Sequence, residues 1–330
     1  MTVQITIIGL GQVGSSIGLA LAEHKSIKRV GHDKDMEAAR AAQKAGAVDE
    51  TKLNLPASVE GSKIVLLCLP LSGMRRTLEV IAPDLEEGTV IMDTAPAKAT
   101  VAAWIKELLP AGRYYVGLTP AAGAEYLHGV DYGVSSARAD LFKNGLFLVN
   151  APHGASEEAV KLALDLIELL GAHHMLSDEF EADGLLASTH ILPQLIAAAL
   201  ISATMDQPGW LEASKLAARP YATITAGLAY HDEADSLSIA ALGNRENVAR
   251  VIDSYMNSLK ELRDTIRDGD EKTVATLLDD AFQARVRWFD ERHKADWDGM
   301  KTDKPDVPPV GERLSQMLFG GLTSRSKKKK

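Results

Sequence analysis

Residues 2–24 read TVQITIIGLGQVGSSIGLALAEH, and this stretch decides the fold. Val3 to Ile8 form a β-rich run, a glycine turn follows, and Val13, Ile17 and Leu21 then recur at the i, i+4, i+8 spacing of one helix face. Gly9, Leu10, Gly11, Gln12, Val13 and Gly14 make a G-x-G-x-x-G. Placed between a strand and a helix, that pattern predicts a dinucleotide-binding turn. Gly9 permits the tight turn and Gly11 lets the backbone approach a pyrophosphate. Gly14 lets helix and strand pack closely, while the helix start offers N–H groups and the positive end of its dipole.

Outward from this unit the pattern repeats. "IKRVGHD" reads as a second strand, ending at Asp33, 19 residues past Gly14. A carboxylate there suits the ribose hydroxyls of NAD and repels the 2′-phosphate of NADP, so NAD is the favoured cofactor. Further apolar runs, "KIVLLCLP", "TVIMDT", "YYVGLTP" and "LFLVNAP", alternate with helical segments. Leu69 and Pro70 close the first of these, where the nicotinamide half of a cofactor would lie. Continuous apolar strands alternating with helices predict an α/β domain, a doubly wound and mostly parallel sheet of Rossmann type. After about residue 176 the texture turns helical, with long apolar stripes such as Val248, Val251, Tyr255 and Leu259 that suit a core and a subunit interface. The expected division is a nucleotide-binding domain over 1–176, an all-helical domain over 177–295, and a linker with a basic tail over 296–330.

Composition narrows the function. The formal net charge is −9, and the last six residues supply +5, so the rest of the chain carries −14. An acidic body argues against nucleic-acid binding. The single cysteine, Cys68, lies inside an apolar run and reads as a buried thiol. Apolar runs such as 195–203 stop well short of the roughly 20 residues of a membrane span, so no membrane role and a cytoplasmic location are expected.

Several stretches together resemble the prephenate and arogenate dehydrogenase family: "IIGLGQVGSSIGLAL", "MDTAPAK", "GLTPAAGAEYLHG", "THILPQLIAAAL" and "NRENV" stand in family order. The resemblance implies a Rossmann domain followed by a helical domain that forms a homodimer, with a small-molecule substrate bound in a cleft between them. It also implies oxidation of a ring carbinol by hydride transfer to NAD(P)+, with decarboxylation, as in tyrosine synthesis.

Carried over position by position, the family's chemical groups are replaced. Its serine falls on Pro96, its histidine on Thr119 within "GLTPAAGAE", its second histidine on Gln194, and its carboxylate-binding arginine on Leu228. Threonine does not titrate near neutral pH as imidazole does. Leucine cannot form the bidentate pair of a guanidinium with a carboxylate. The candidate catalytic set is therefore Thr119, Gln194, Lys98, which keeps its family position, and His190, one helical turn before Gln194. His190 is the first choice for a displaced acid or base. Glu125, as an orienter of its loop, and Arg245 and His231 are the candidate substrate-side groups, Arg245 also suiting a structural pair with an acid. No metal site is expected. Three readings follow: an NAD-dependent dehydrogenase acting on prephenate, arogenate or a less anionic relative; an NAD-binding protein without turnover; or a hydroxyacid or imine enzyme of similar architecture.

Overall fold

The computed structural model describes residues 2–129, 132–152, 155–230, 234–295 and 297. Eight strands form one sheet: β1 (Val3–Ile8), β2 (Ile27–His32), β3 (Glu50–Thr51), β4 (Ser62–Leu67), β5 (Val90–Asp93), β6 (Tyr114–Ala121), β7 (Leu146–Asn150) and β8 (His173–Ser177). Their order is β3-β2-β1-β4-β5-β6-β7-β8. All neighbours are parallel except β6 and β7, which run antiparallel. The expected sheet is mostly parallel, and the observed one agrees. The reversal of strand order between β1 and β4 creates the crevice where such folds hold dinucleotides.

Helices α1 (Gln12–Ala20), α2 (Met36–Lys44), α3 (Leu55–Val59), α4 (Leu71–Ile81), α5 (Lys98–Leu108) and α6 (Glu157–Leu169) connect the strands. Their starts follow from local chemistry. Asp35 accepts the N–H of Glu37 at α2, Asn54 that of Ala57 at α3, and Ser156 that of Ala159 at α6. Ile5, Ile7, Leu66, Met92, Val116 and Val149 are buried along the sheet. Away from the crevice, Arg29 on β2 pairs with Asp49 and donates to the carbonyls of Gly18 and Gly46, satisfying acceptors at the C-terminal ends of α1 and α2. Burial opposes ionisation of the Asp49 carboxyl, but hydrogen bonds and charge from Arg29 hold it below the usual carboxylate range.

Beyond the sheet the chain is helical: α7 (Glu179–Leu186), α8 (Leu192–Met205), α9 (Trp210–Ala213), α10 (Arg219–Thr225), α11 (Ala234–Gly243), α12 (Arg245–Asp268) and α13 (Glu271–Lys294). Two compact units result. The first takes in Met1–Ala182 and regains the chain at Trp297; the second is Asp183–Asp296. The division falls six residues beyond the expected one, because α7 begins in the first unit, where Ala182 is fully buried.

The apolar run 195–203 proves to be part of a longer helix. A π turn over Ala187–Ile191 joins α7 and α8 into a continuous helix, Glu179–Met205, which is long and apolar enough to cross a membrane by length and composition. Pro193 lacks the N–H that an α-helix needs there, and the wider turn absorbs that defect without breaking the helix.

Candidate active site

The glycine turn is shaped by what a side chain would strike. Gly9 has φ +94°, and a Cβ there would fall 2.3 Å from the carbonyl oxygen of Cys68. A Cβ on Gly14 would fall 2.0 Å from the carbonyl oxygen of Gly9, so α1 sits directly on the turn. Gly11 differs: its φ is −74° and its Cβ would meet nothing within 4 Å. That open space lies at the start of α1, where no side chain caps the helix. An uncapped helix start beside open room fits an anionic pyrophosphate.

Asp33 completes this end of the site. Its Oδ2 accepts the N–H of Leu10 at 2.7 Å and its Oδ1 that of Asp35 at 2.8 Å. Both oxygens are thus held in place and each keeps a lone pair for a ribose hydroxyl. A second brace lies behind the helix start, where Ser16 Oγ accepts the N–H of Arg138 at 3.0 Å. On the β4 side Leu69 and Pro70 are half-buried, and Pro70 opens α4. Burial pushes the neighbouring Cys68 thiol up to about 12, so it stays protonated and inert at neutral pH.

At the ends of β5 and β6 the structure brings together two of the positions singled out by the family resemblance, 96 and 119. Thr119 is buried on β6, and its hydroxyl donates to the carbonyl of Ala95 at 3.4 Å, beside Pro96. Beneath them Lys98 takes a role other than the expected one. Both Lys98 and Asp93 have fully buried side chains, 0% exposed, and form an ion pair at 2.9 Å. The ammonium also donates to the carbonyl of Leu118 at 2.7 Å, and Tyr115 donates to the other Asp93 oxygen at 2.7 Å. The Lys98 charge is spent inside the protein, so its place in the candidate catalytic set gives way to a positioning role. It ties the end of β5 to that of β6 beneath Thr119. A Cβ at Gly117, opposite Asn150, would fall 1.9 Å from Asn150 Oδ1, so a side chain there would displace the buried Asn150 amide.

Glu125 is corrected too. It is exposed on a 3-10 turn, Ala124–Tyr126, and makes no hydrogen bond or ion pair with the described residues. The loop is instead oriented by backbone bonds from Gly123 to Leu141 and by Tyr126, whose hydroxyl donates to Asp140 at 2.6 Å.

In the second unit, His190 and Gln194 come together, but through the backbone. Gln194 is buried and its Nε2 donates to the His190 carbonyl at 2.7 Å, while the His190 side chain is exposed on the π turn. Leu228 lies in a 3-10 segment, Ala226–Tyr230, whose Gly227 packs against Gln194. Arg245 opens α12 with its side chain 79% exposed, beside the exposed Glu246 at 3.4 Å. His231 lies outside the described residues.

Comparison with known proteins draws this arrangement into one family. Residues 17–176 match the nucleotide-binding domain of prephenate dehydrogenase, and residues 179–280 match its dimerization domain. The chain belongs to the prephenate dehydrogenase family. The prephenate dehydrogenase of Lactococcus lactis subsp. cremoris is 26% identical over 301 residues, 88% of this chain and 78% of that protein. That of Bacillus subtilis is 28% identical over 202 residues, 61% of this chain, and the match spans about half of the relative, 53%. The crystal structure of the A. aeolicus prephenate dehydrogenase, in complex with hydroxyphenyl propionate and NAD+, shares the fold with a TM-score of 0.75 at 19% identity. It is covered to 98%, against 87% of this chain. The order of the two units, nucleotide-binding and then helical, is therefore that of the family.

Proposed function

We propose that the protein is an NAD-dependent dehydrogenase of the tyrosine-biosynthesis type, acting on prephenate, arogenate or a related ring carbinol. The observation that carries this reading is the open space at Gly11 over the uncapped start of α1, with Asp33 fixed beside it. The named relatives supply the reaction class. Bound at this turn, NAD+ would accept the hydride of the carbinol carbon. Leu10, Gln12 and Val13 would bring backbone to the pyrophosphate, Asp33 would take the ribose, and Leu69 and Pro70 would flank the nicotinamide. The Asp33 charge supports NAD over NADP.

His190 is the group of this chain proposed to move the carbinol proton, since Thr119 has no titratable atom and its hydroxyl is held by Ala95. Mixing the protein with NAD+ and either prephenate or arogenate is expected to raise absorbance at the NADH wavelength. In that assay His190→Ala is expected to lower the rate about a hundredfold. No NADH from either compound would leave an NAD-binding protein without turnover; an unchanged rate in the variant would remove His190 from the chemistry.

We also propose a homodimer through the helical unit. Met256, Leu259 and Ile266 on α12, and Leu278 and Phe282 on α13, are exposed in the single chain. Apolar stripes of this kind mark subunit contacts, and a partner would equally cover the apolar α8 part of the Glu179–Met205 helix, Leu192–Met205, in keeping with a cytoplasmic protein. Light scattering is expected to give twice the chain mass of 35.4 kDa. The paired change Leu259→Asp with Phe282→Asp is expected to halve it; a monomeric wild type would refute the interface.

A further inference from the structure

Strand β8 ends the sheet, so one of its edges has no strand partner among the described residues. Bare edges of this kind invite further chain. Leu176 on β8 is 59% exposed, and Phe180, in the first turn of α7, is 74% exposed. Between residues 173 and 186 there are four acids, Asp178, Glu179, Glu181 and Asp183, and no lysine or arginine. Asp178 accepts the N–H groups of Phe180 and Glu181, and Glu181 accepts the Ser177 hydroxyl, so this corner is a firm apolar ledge with an acidic rim.

The chain itself returns to the other end of β8. The Trp297 ring lies 6.5 Å from that of His173, the first residue of β8, and Trp297 belongs to the same compact unit. The residues that follow, 298–330, are outside the described residues and are matched by neither family domain. Their sequence answers the ledge in kind. Leu314, Met317 and Leu318 recur at helical spacing, and Arg325 with Lys327, Lys328, Lys329 and Lys330 supplies positive charge. The sixteen residues between Trp297 and Leu314 reach up to about 50 Å, whereas β8 is only about 17 Å long.

We propose that residues 313–322 dock on the β8–α7 corner of their own chain. Leu314, Met317 and Leu318 cover Leu176 and Phe180, and the basic end lies against Glu179 and Glu181. The apolar contact supplies the affinity; the exposed charges select the orientation and weaken with salt.

The test joins Phe180→Cys with Met317→Cys in the full chain, the native Cys68 being too poorly ionised to compete. Mild oxidation is expected to give an intrachain disulfide whose yield is unchanged on tenfold dilution. It is expected to fall several-fold when Leu318→Asp is added or when Thr302→Cys replaces Met317→Cys. Absence of the disulfide, a bond only between chains, or equal yield from residue 302 would overturn the proposal. A second readout needs no cysteine: Leu314→Asp with Leu318→Asp is expected to speed amide exchange of residues 174–181 at least tenfold. Unchanged exchange, with the tail binding anionic vesicles instead, would assign the segment to a membrane and refute the docking.

Discussion

Gly11→Ala is expected to abolish NAD+ binding while leaving the cofactor-free protein almost as stable as the parent. The added methyl meets no protein atom within 4 Å, and the residue already has a negative φ, so the fold has no reason to object. An alanine at a helix start costs at most about 1 kcal/mol. Yet the methyl stands where the pyrophosphate must approach. A rise in the dissociation constant of a hundredfold or more is expected, which is about 2.7 kcal/mol. Calorimetry with NAD+ and a urea melt of the free protein measure the two halves. The neighbouring glycines cannot make this separation: alanine at Gly9 or Gly14 would press on backbone at 2.3 or 2.0 Å and damage fold and binding together. Unchanged affinity in Gly11→Ala would mean that the cofactor, if bound, lies elsewhere.

The second large effect is on stability. Lys98→Met is expected to destabilise the first unit by about 3–5 kcal/mol, because it strands the Asp93 carboxylate in a fully buried site. Tyr115 still donates to that carboxylate, which places the loss toward the lower end. Exchanging both charges, Lys98→Met with Asp93→Leu, is expected to recover much of it, since an apolar pair of similar size leaves no buried charge. Urea unfolding at neutral pH measures both. A loss below 1 kcal/mol in Lys98→Met would show that the pair is not sealed from solvent.

Gly11 and Lys98 also mark how far the amino-acid sequence alone reaches. The strand–turn–helix around Gly11 is legible because each glycine answers a local steric demand and the apolar spacing switches from strand to helix within twenty residues. Lys98 is not legible. A lysine at a family position reads as a catalytic candidate, and only the full burial of both side chains shows that its charge is already taken by Asp93 inside the protein. The Arg29–Asp49 pair is hidden in the same way, its partners being twenty residues apart on different elements. Strand β8 gives no signal because "HHMLS" is half-buried at an edge and has no continuous apolar run. The two-residue β3 is too short to carry a pattern at all. The π turn has a sequence cue in Pro193, but a kink and a widened turn leave the same trace in sequence.

The positions singled out by the family resemblance are legible as neighbours only in part. Thr119 does lie beside the Pro96 loop, and Gln194 does meet His190. What sequence cannot supply is that Gln194 is bound to a carbonyl and not to an imidazole, since that contact depends on the shape of the helix between them.

The central claim, a dinucleotide held at the Gly11 turn with its ribose on Asp33, is tested most directly by titrating the full chain with NAD+ and, in parallel, with NADP+. One NAD+ per chain is expected, bound at least tenfold more tightly than NADP+, with the preference narrowing in Asp33→Asn. Absence of heat with either dinucleotide, or tighter binding of NADP+ by the parent, would contradict that claim.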